Sequence, residues 1–283
     1  ATGFTYTEAW IVGLAMTFSS TILGIKLLPT TALHHRHIGE MVVSLLLIQD
    51  LLAILAILLL TGLGNDLAGI TQSMVAIFIG LPALIGGAYL MVRFVLLRLI
   101  SKFDAFHEYI FLLAIGWCLS LASIAEQMGL SFEIGGFIAG VSLATSPIAK
   151  YIAEHLRPLR DFFLILFFFS VGASLNVALL QDVWLAAIIL AGITLLVKPK
   201  VFEFLLVLQK EDKGASKEVG FRLGQASEFS LLLSYIAISN ALISGSAAVV
   251  LQTATILTLI GSSYLVVSRY PSPIASDPAL RRD

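Results

Sequence analysis

Met41-Val-Val-Ser-Leu-Leu-Leu-Ile-Gln49-Asp50-Leu-Leu-Ala-Ile-Leu55 is an apolar run with one carboxylate at its centre, and no other charge falls between Glu40 and Asp66. The run is long enough to cross a bilayer as a helix. A charge in the middle of such a helix costs roughly 3 kcal/mol, so it faces a water-filled path or a partner and marks an ion route. Two more charges, Lys198 and Glu228, interrupt two other apolar runs far downstream. Three such residues in one chain point to ion or proton movement across a membrane.

Composition agrees with a membrane protein. The 283 residues are 58% hydrophobic and 12% charged, with a mean hydropathy of +0.97, where an ordinary soluble domain has about 25% charged residues. A net charge of −1 leaves no basic stripe to neutralise phosphates, which argues against nucleic acid as a partner. The lone Cys118 permits neither a disulfide nor a thiolate metal cluster and reads as a packing residue. The first apolar run is long and lacks a basic leader, unlike a cleavable signal peptide.

A bilayer core needs about 20 mostly apolar residues as helix. Nine runs qualify: 7–29, 39–62, 68–98, 106–127, 131–147, 158–180, 182–209, 219–240 and 244–268. The expected fold is therefore all-α and polytopic, with about nine transmembrane helices in a domain spanning 1–268. The third run is long enough to tilt, and the fifth is short for a full crossing. Of the 17 Lys and Arg residues, all but Lys198 and Lys200 fall in the loops after runs one, three, five and seven or in the C-terminal tail, Arg222 among them. The opposite loops (62–67, 127–131, 176–183, 240–245) have none. By the positive-inside rule the N-terminus is outside and the C-terminus cytoplasmic. The tail, 269–283, is polar and contains proline; it reads as a cytoplasmic linker.

Several motifs carry the chemistry. Thr17-Phe18-Ser19-Ser20-Thr21 clusters hydroxyls within the first run. Such a cluster serves either close helix packing or an unwound segment whose carbonyls and hydroxyls receive a cation, and alone it does not decide between them. Asp50 offers a titratable oxygen to a proton or a hard monovalent cation, and Gln49 a neutral amide oxygen. Lys198, in Leu195-Leu-Val-Lys198-Pro199-Lys200, is a desolvated amine that a carboxylate would keep charged, so we expect it to approach Asp50 in at least one state. Pro199 should kink its helix. Gly224-Gln225-Ala226-Ser227-Glu228-Phe229-Ser230 repeats the logic of the first run: a small-residue break with polar groups around it. Two polar-interrupted helices with charged neighbours form the pattern of inverted repeats with crossed, discontinuous helices. We therefore expect breaks near 19–21 and 225–228 that cross near Asp50. Gly136 and Gly140 form a small-xxx-small pair that close packing explains. His34-His35-Arg36-His37 reads as a solvated loop.

Taken in order, Ser19-Ser20-Thr21, Gln49-Asp50, Gly136-Phe-Ile-Ala-Gly140-Val141, Phe168-Phe-Ser170-Val-Gly-Ala-Ser174, Lys198 and Gly224-Gln225-Ala-Ser227-Glu228-Phe229 resemble the motifs of Kef-type potassium/proton antiporters. These belong to the monovalent cation:proton antiporter superfamily with the sodium/proton exchanger fold, and the resemblance runs along essentially the whole chain. It implies a thirteen-helix, inverted-repeat architecture of which this chain supplies the fifth to thirteenth helices, the first four being absent. It further implies that Asp50 binds cation and proton, that Ser20 and Thr21 lie at the first crossing, that Lys198 is the family's lysine, and that Gln225 and Glu228, with Ser227 between them, lie on the second broken helix. The Gln before the aspartate implies potassium. Also implied are a homodimer of the full-length protein, a cytoplasmic regulatory domain or subunit, and a bacterial inner (plasma) membrane. Departures are Ser170 where the family often has Gly, Pro199 directly after the lysine, and no nucleotide-binding domain.

Secondary active exchange of a monovalent cation for protons through one shared aspartate is thus the expected function. No cofactor or resident metal is expected, only the transported K⁺ or Na⁺ and H⁺. The alternative is a gated K⁺ channel or ligand-gated efflux pathway, which should show a continuous filter of carbonyls or acidic rings. An intramembrane protease needs paired carboxylates or a mid-span His. The only candidate pair, Asp50 and Glu228, fits the transporter motifs better, and the five His residues, at 34, 35, 37, 107 and 155, are not mid-span, so no enzyme is expected.

Overall fold

The computed structural model describes residues 4–29, 37–63, 76–102, 107–130, 132–144, 146, 148–174, 177–275, 277 and 280–281. Among these the regular structure is helical, apart from an isolated bridge between Ser272 and Arg281. Six helical segments among the described residues are long and apolar enough to cross a membrane. The chain divides into two compact units: one of Ala1–Gly64 with Leu175–Asp283, the other of Asn65–Ser174.

In the first unit, α1 (Tyr6–Thr17) and α2 (Thr21–Lys26) share one course with a break between them. The helix α3 (His37–Leu63) follows, then α9 (Val177–Leu208), α10 (Lys213–Arg222), α11 (Glu228–Ser239) and α12 (Gly245–Arg269). Helix α1 starts on a capping box. Thr5 N–H donates to Glu8 Oε2 (2.7 Å), and Glu8 N–H donates to the Thr5 hydroxyl (3.3 Å), which satisfies two amides that a helix start leaves bare. The other oxygen of Glu8 accepts from Ser244 N–H at 2.8 Å, tying this start to the cap of α12.

Small residues set the packing. Ala15, Ala53, Ala237, Ala247 and Ala254 are buried with Ile57 and Leu251 in one cluster, which lets backbones approach where lipid supplies no hydrophobic drive between helices. Helix α9 continues through Pro199. A close contact with Pro199 comes from the neighbouring segment: a Cβ on Gly220 of α10 would collide with the Pro199 carbonyl, and one on Gly224, just past the end of that helix, would lie 2.8 Å from Pro199 Cγ.

In the second unit a helical course runs through α4 (Leu81–Met91) and α5 (Leu97–Lys102), with π-helical turns at Ala76–Gly80 and Val92–Leu96. The remaining helices are α6 (His107–Gln127), α7 (Phe132–Ala144) and α8 (Ala149–Ser174). With 13 residues, α7 is about 20 Å long, short of a bilayer core. The glycine that brings α6 and α7 together is Gly135, where a Cβ would sit 2.5 Å from Ala122 Cα; Gly140 has nothing within 4 Å. The Gly136/Gly140 pair is therefore not the close-packing motif it was expected to be. Helix α8 begins at Ala149 instead of 158 and carries Lys150, Glu154, Arg157, Arg160 and Asp161 on its first half. A proline in its first turns does not end it.

His34, His35 and Arg36 lie outside the described residues, whereas His37 Nε2 is 2.7 Å from Glu211 Oε2. Largely exposed, such a pair contributes little to stability. The described part of the tail makes contacts of its own. Ser272 N–H donates to Leu280 O (3.2 Å), Arg281 Nη2 donates to Ala275 O (3.3 Å), and Ser272 and Ala275 are fully buried.

The Gly220 contact is testable. Gly220→Ala adds a methyl where α9 backbone stands, and overpacking of this kind costs about 1–3 kcal/mol. We expect a lower thermal midpoint in detergent for Gly220→Ala and an unchanged one for Gly192→Ala, whose added Cβ meets nothing within 4 Å.

Candidate functional site

Both interrupted helices lie in the first unit. Phe18, Ser19 and Ser20 separate α1 from α2, and residues 223–227 separate α10 from α11. Each break is capped locally. Ser20 Oγ accepts from Leu23 N–H (3.3 Å) to start α2, and Ser227 Oγ accepts from Phe229 N–H (3.1 Å) to start α11. Ser227 N–H in turn donates to Ser230 Oγ (3.1 Å).

Beyond these caps, the two breaks satisfy each other. Ser19 Oγ donates to Leu223 O (2.8 Å), and Gln225 Nε2 reaches Ser20 O (3.4 Å). Ser230 Oγ donates to Ala15 O at 2.6 Å. Crossing of the two broken helices near residues 19–20 and 223–225 is thus direct.

Lys198 projects from α9 into this crossing. Its Nζ donates to Phe18 O (2.6 Å) and Gln225 O (2.8 Å), one carbonyl from each break. Phe18 caps the C-terminus of α1, and Gln225 follows the C-terminus of α10. A cation at two converging helix C-termini opposes their partial negative charge. Among the described residues no ion pair joins Lys198 to Asp50; in this arrangement the amine serves backbone, and the expected approach is not seen.

Asp50 occupies the opposite pole. From α3 its carboxylate accepts the Thr21 hydroxyl at Oδ1 (3.1 Å) and Oδ2 (2.9 Å), while Gln49 Oε1 accepts Ser19 N–H (2.9 Å). The Gln49-Asp50 pair therefore reads the first break, one residue on its backbone and the other on the first side chain of α2. A negative group at a helix N-terminus is in the favourable end of the dipole. Asp50 is half-buried. Glu228 opens α11, the other N-terminus of the crossing, within electrostatic reach of Asp50 and close to Ser20. Its Oε2 is buried with no hydrogen-bond partner. Acids at the two N-termini and an amine at the two C-termini divide the site by charge.

The structure thus brings together Ser20, Thr21, Gln49, Asp50, Lys198, Gln225, Ser227 and Glu228. Sequence reasoning missed the wall behind the second break. Thr258 Oγ1 accepts from Ala226 N–H (2.9 Å), Ser262 Oγ donates to Gln225 Oε1 (2.9 Å), and Gln252 Nε2 donates to Ser234 Oγ (2.9 Å). A signal existed: Gln252, Thr255, Thr258 and Ser262 recur at three- and four-residue intervals through an apolar run, one face of a helix. Arg222, read as a loop residue, is 2% exposed.

Two interrupted helices crossing beside a carboxylate in an apolar bundle are the build of a secondary transporter. The chain belongs to the family of sodium/hydrogen exchanger transmembrane proteins, which it matches over residues 1–267. It is a multi-pass membrane protein of a transporter family, not an enzyme. Among its relatives is K(+) efflux antiporter 5 of Arabidopsis thaliana, 30% identical over 279 residues, covering 93% of this chain and 47% of that protein. K(+) efflux antiporter 4 of the same plant is 30% identical over 275 residues, with 92% and 45% covered. K(+) efflux antiporter 6 is 29% identical over 283 residues, with 94% and 46% covered. The chain spans about half the length of the curated relatives it matches.

Removing the amine should show what it holds. Lys198→Ala strands two carbonyls in an apolar interior, each worth about 1–3 kcal/mol. We expect a marked fall in thermal midpoint in detergent, against little change for Lys200→Ala, whose side chain is exposed.

Proposed function

We propose that this chain forms the exchange core of a monovalent cation/proton antiporter, with potassium as the cation and Asp50 as the group shared by both ions. The observation that carries the reading is the setting of Asp50: half-buried, on one hydroxyl, at the start of a helix interrupted beside it. A protonated Asp50 is neutral and tolerable in an apolar bundle. When a cation arrives, the carboxyl releases its proton and the carboxylate takes the cation. Thr21 orients the carboxylate, Ser20 and Gln49 offer further oxygens, and Gln225, Ser227 and Glu228 build the facing wall. Potassium is supported by the names of the three relatives and by the Gln49-Asp50 pair.

Lys198 would serve two states. It pins the crossing through Phe18 O and Gln225 O here, and moves to the empty, ionised Asp50 in another, because an unpaired charge in the bundle is costly. The N-terminus is proposed outside and the C-terminus in the cytoplasm, from the one-sided distribution of Lys and Arg. A second copy and a cytoplasmic regulatory domain or subunit are proposed partners of the whole protein.

In proteoliposomes, a K⁺ gradient should drive proton release, a Na⁺ gradient less, and Asp50→Asn should abolish coupled exchange while the protein stays folded. Substantial exchange by a well-folded Asp50→Asn protein would sink the assignment, and unitary currents with no proton coupling would favour the channel instead. The pH profile is a second test. A cationic neighbour favours the ionised carboxylate, so Lys198→Ala should hold the proton on Asp50 to higher pH and shift activity upward in pH; an unchanged profile at normal expression refutes the pairing.

A further inference from the structure

The most heavily partnered cation in the first unit is not in the site. Arg222, the last residue of α10, is buried and uses all three nitrogens of its guanidinium. Nε and Nη2 donate to Glu218 Oε1 (2.9 and 2.7 Å), Nη1 to Leu27 O (2.9 Å), and Nη2 also to Pro271 O (2.7 Å). The acceptors belong to three separate pieces of chain: α10 itself, the C-cap of α2, and the tail beyond α12. Leu27 O is a carbonyl that the end of a short helix leaves bare, and a cation there also opposes the dipole.

The tail end of this contact is built as well. The guanidinium lies 6.0 Å from the ring centroid of Tyr270, that ring is 5.8 Å from Phe221, and Arg269 lies over Phe221 at 5.8 Å. Pro271 leads directly into the folded-back segment with buried Ser272 and Ala275. At the other end, the residue after Arg222 is Leu223, whose carbonyl receives the Ser19 hydroxyl. One side chain and one peptide step therefore separate the tail from the crossing.

We propose that Arg222 is a positioning residue that ties residues 270–275 to the crossing of the two broken helices, so that displacement of the tail alters the site. An arginine is suited to this because its planar fork serves several acceptors at fixed angles, which an ammonium does not. Its effect on transport rests on the exchange reading above; the tie itself does not.

The test uses the full chain in three forms: Arg222→Gln, Arg222→Lys, and an insertion of two glycines between Arg269 and Tyr270. The insertion slackens the tail without leaving Glu218 or any buried charge unpartnered, so it remains informative if Arg222→Gln misfolds. Hydrogen exchange at the amides of Ser19, Gly24 and Leu27 should accelerate about fivefold or more in all three, with α6 and α7 unaffected. In proteoliposomes the apparent KM for K⁺ should move in the same direction by a similar factor, and the insertion should add nothing in the Arg222→Gln background, since two breaks in one link do not sum. Unchanged exchange at α2 overturns the tie. Faster exchange with unaltered cation dependence, or multiplicative effects in the double variant, overturns the positioning role. A wild-type chain that exchanges no cation for protons sinks the antiporter reading alone, and the amide data then decide the tie.

Discussion

Interrupting a helix inside a membrane exposes peptide groups that no water can satisfy, at several kcal/mol apiece. The crossing of this protein depends on one answer to that cost: a single amine on two carbonyls, Lys198 between Phe18 O and Gln225 O. Most other features of the first unit arrange themselves around it. Ser20 and Ser227 terminate the breaks at one end, Ser19 and Gln225 stitch them to each other, and α12 supplies hydroxyls from behind. What remains open is the pair of helix N-termini, and there the acids stand. Glu228 is one of them, at the start of α11 with its Oε2 buried.

Much of this was legible in the sequence, for a physical reason. A charge or a hydroxyl cluster in an apolar run is too costly to be idle, so Asp50, Lys198, Glu228 and the serines near 19–20 and 227 announce themselves by position alone. The two breaks fell where the hydroxyl- and glycine-rich interruptions placed them. Partner choice was less legible. Lys198 and Asp50 carry opposite charges, and the obvious pairing joins them; carbonyl groups have no one-letter code, so their competing claim on the amine is invisible in the sequence. Pro199 also carries a contact that its own run does not announce: Gly220 and Gly224 approach it so closely that an added Cβ would lie under 3 Å from it.

Arg222 shows a third kind of miss. At the edge of an apolar run a basic residue reads as an interfacial anchor, and the topology rule counts it with the loops. Burial reverses that reading: Glu218 is a local i,i+4 partner, but Leu27 O and Pro271 O lie 195 and 49 residues away and carry no local signal.

The bonds that make the crossing span most of the chain: 180 residues from Lys198 to Phe18, 204 from Ser19 to Leu223, 205 from Gln225 to Ser20. A ribosome adds about 5–20 residues per second. The first broken helix is therefore made on the order of ten seconds or more before any of these partners exists. Gln49 and Asp50, by contrast, lie only 29–30 residues from the groups of the first break that they bind. They are therefore made well ahead of Lys198 and Leu223, and the first break acquires its contacts in two instalments.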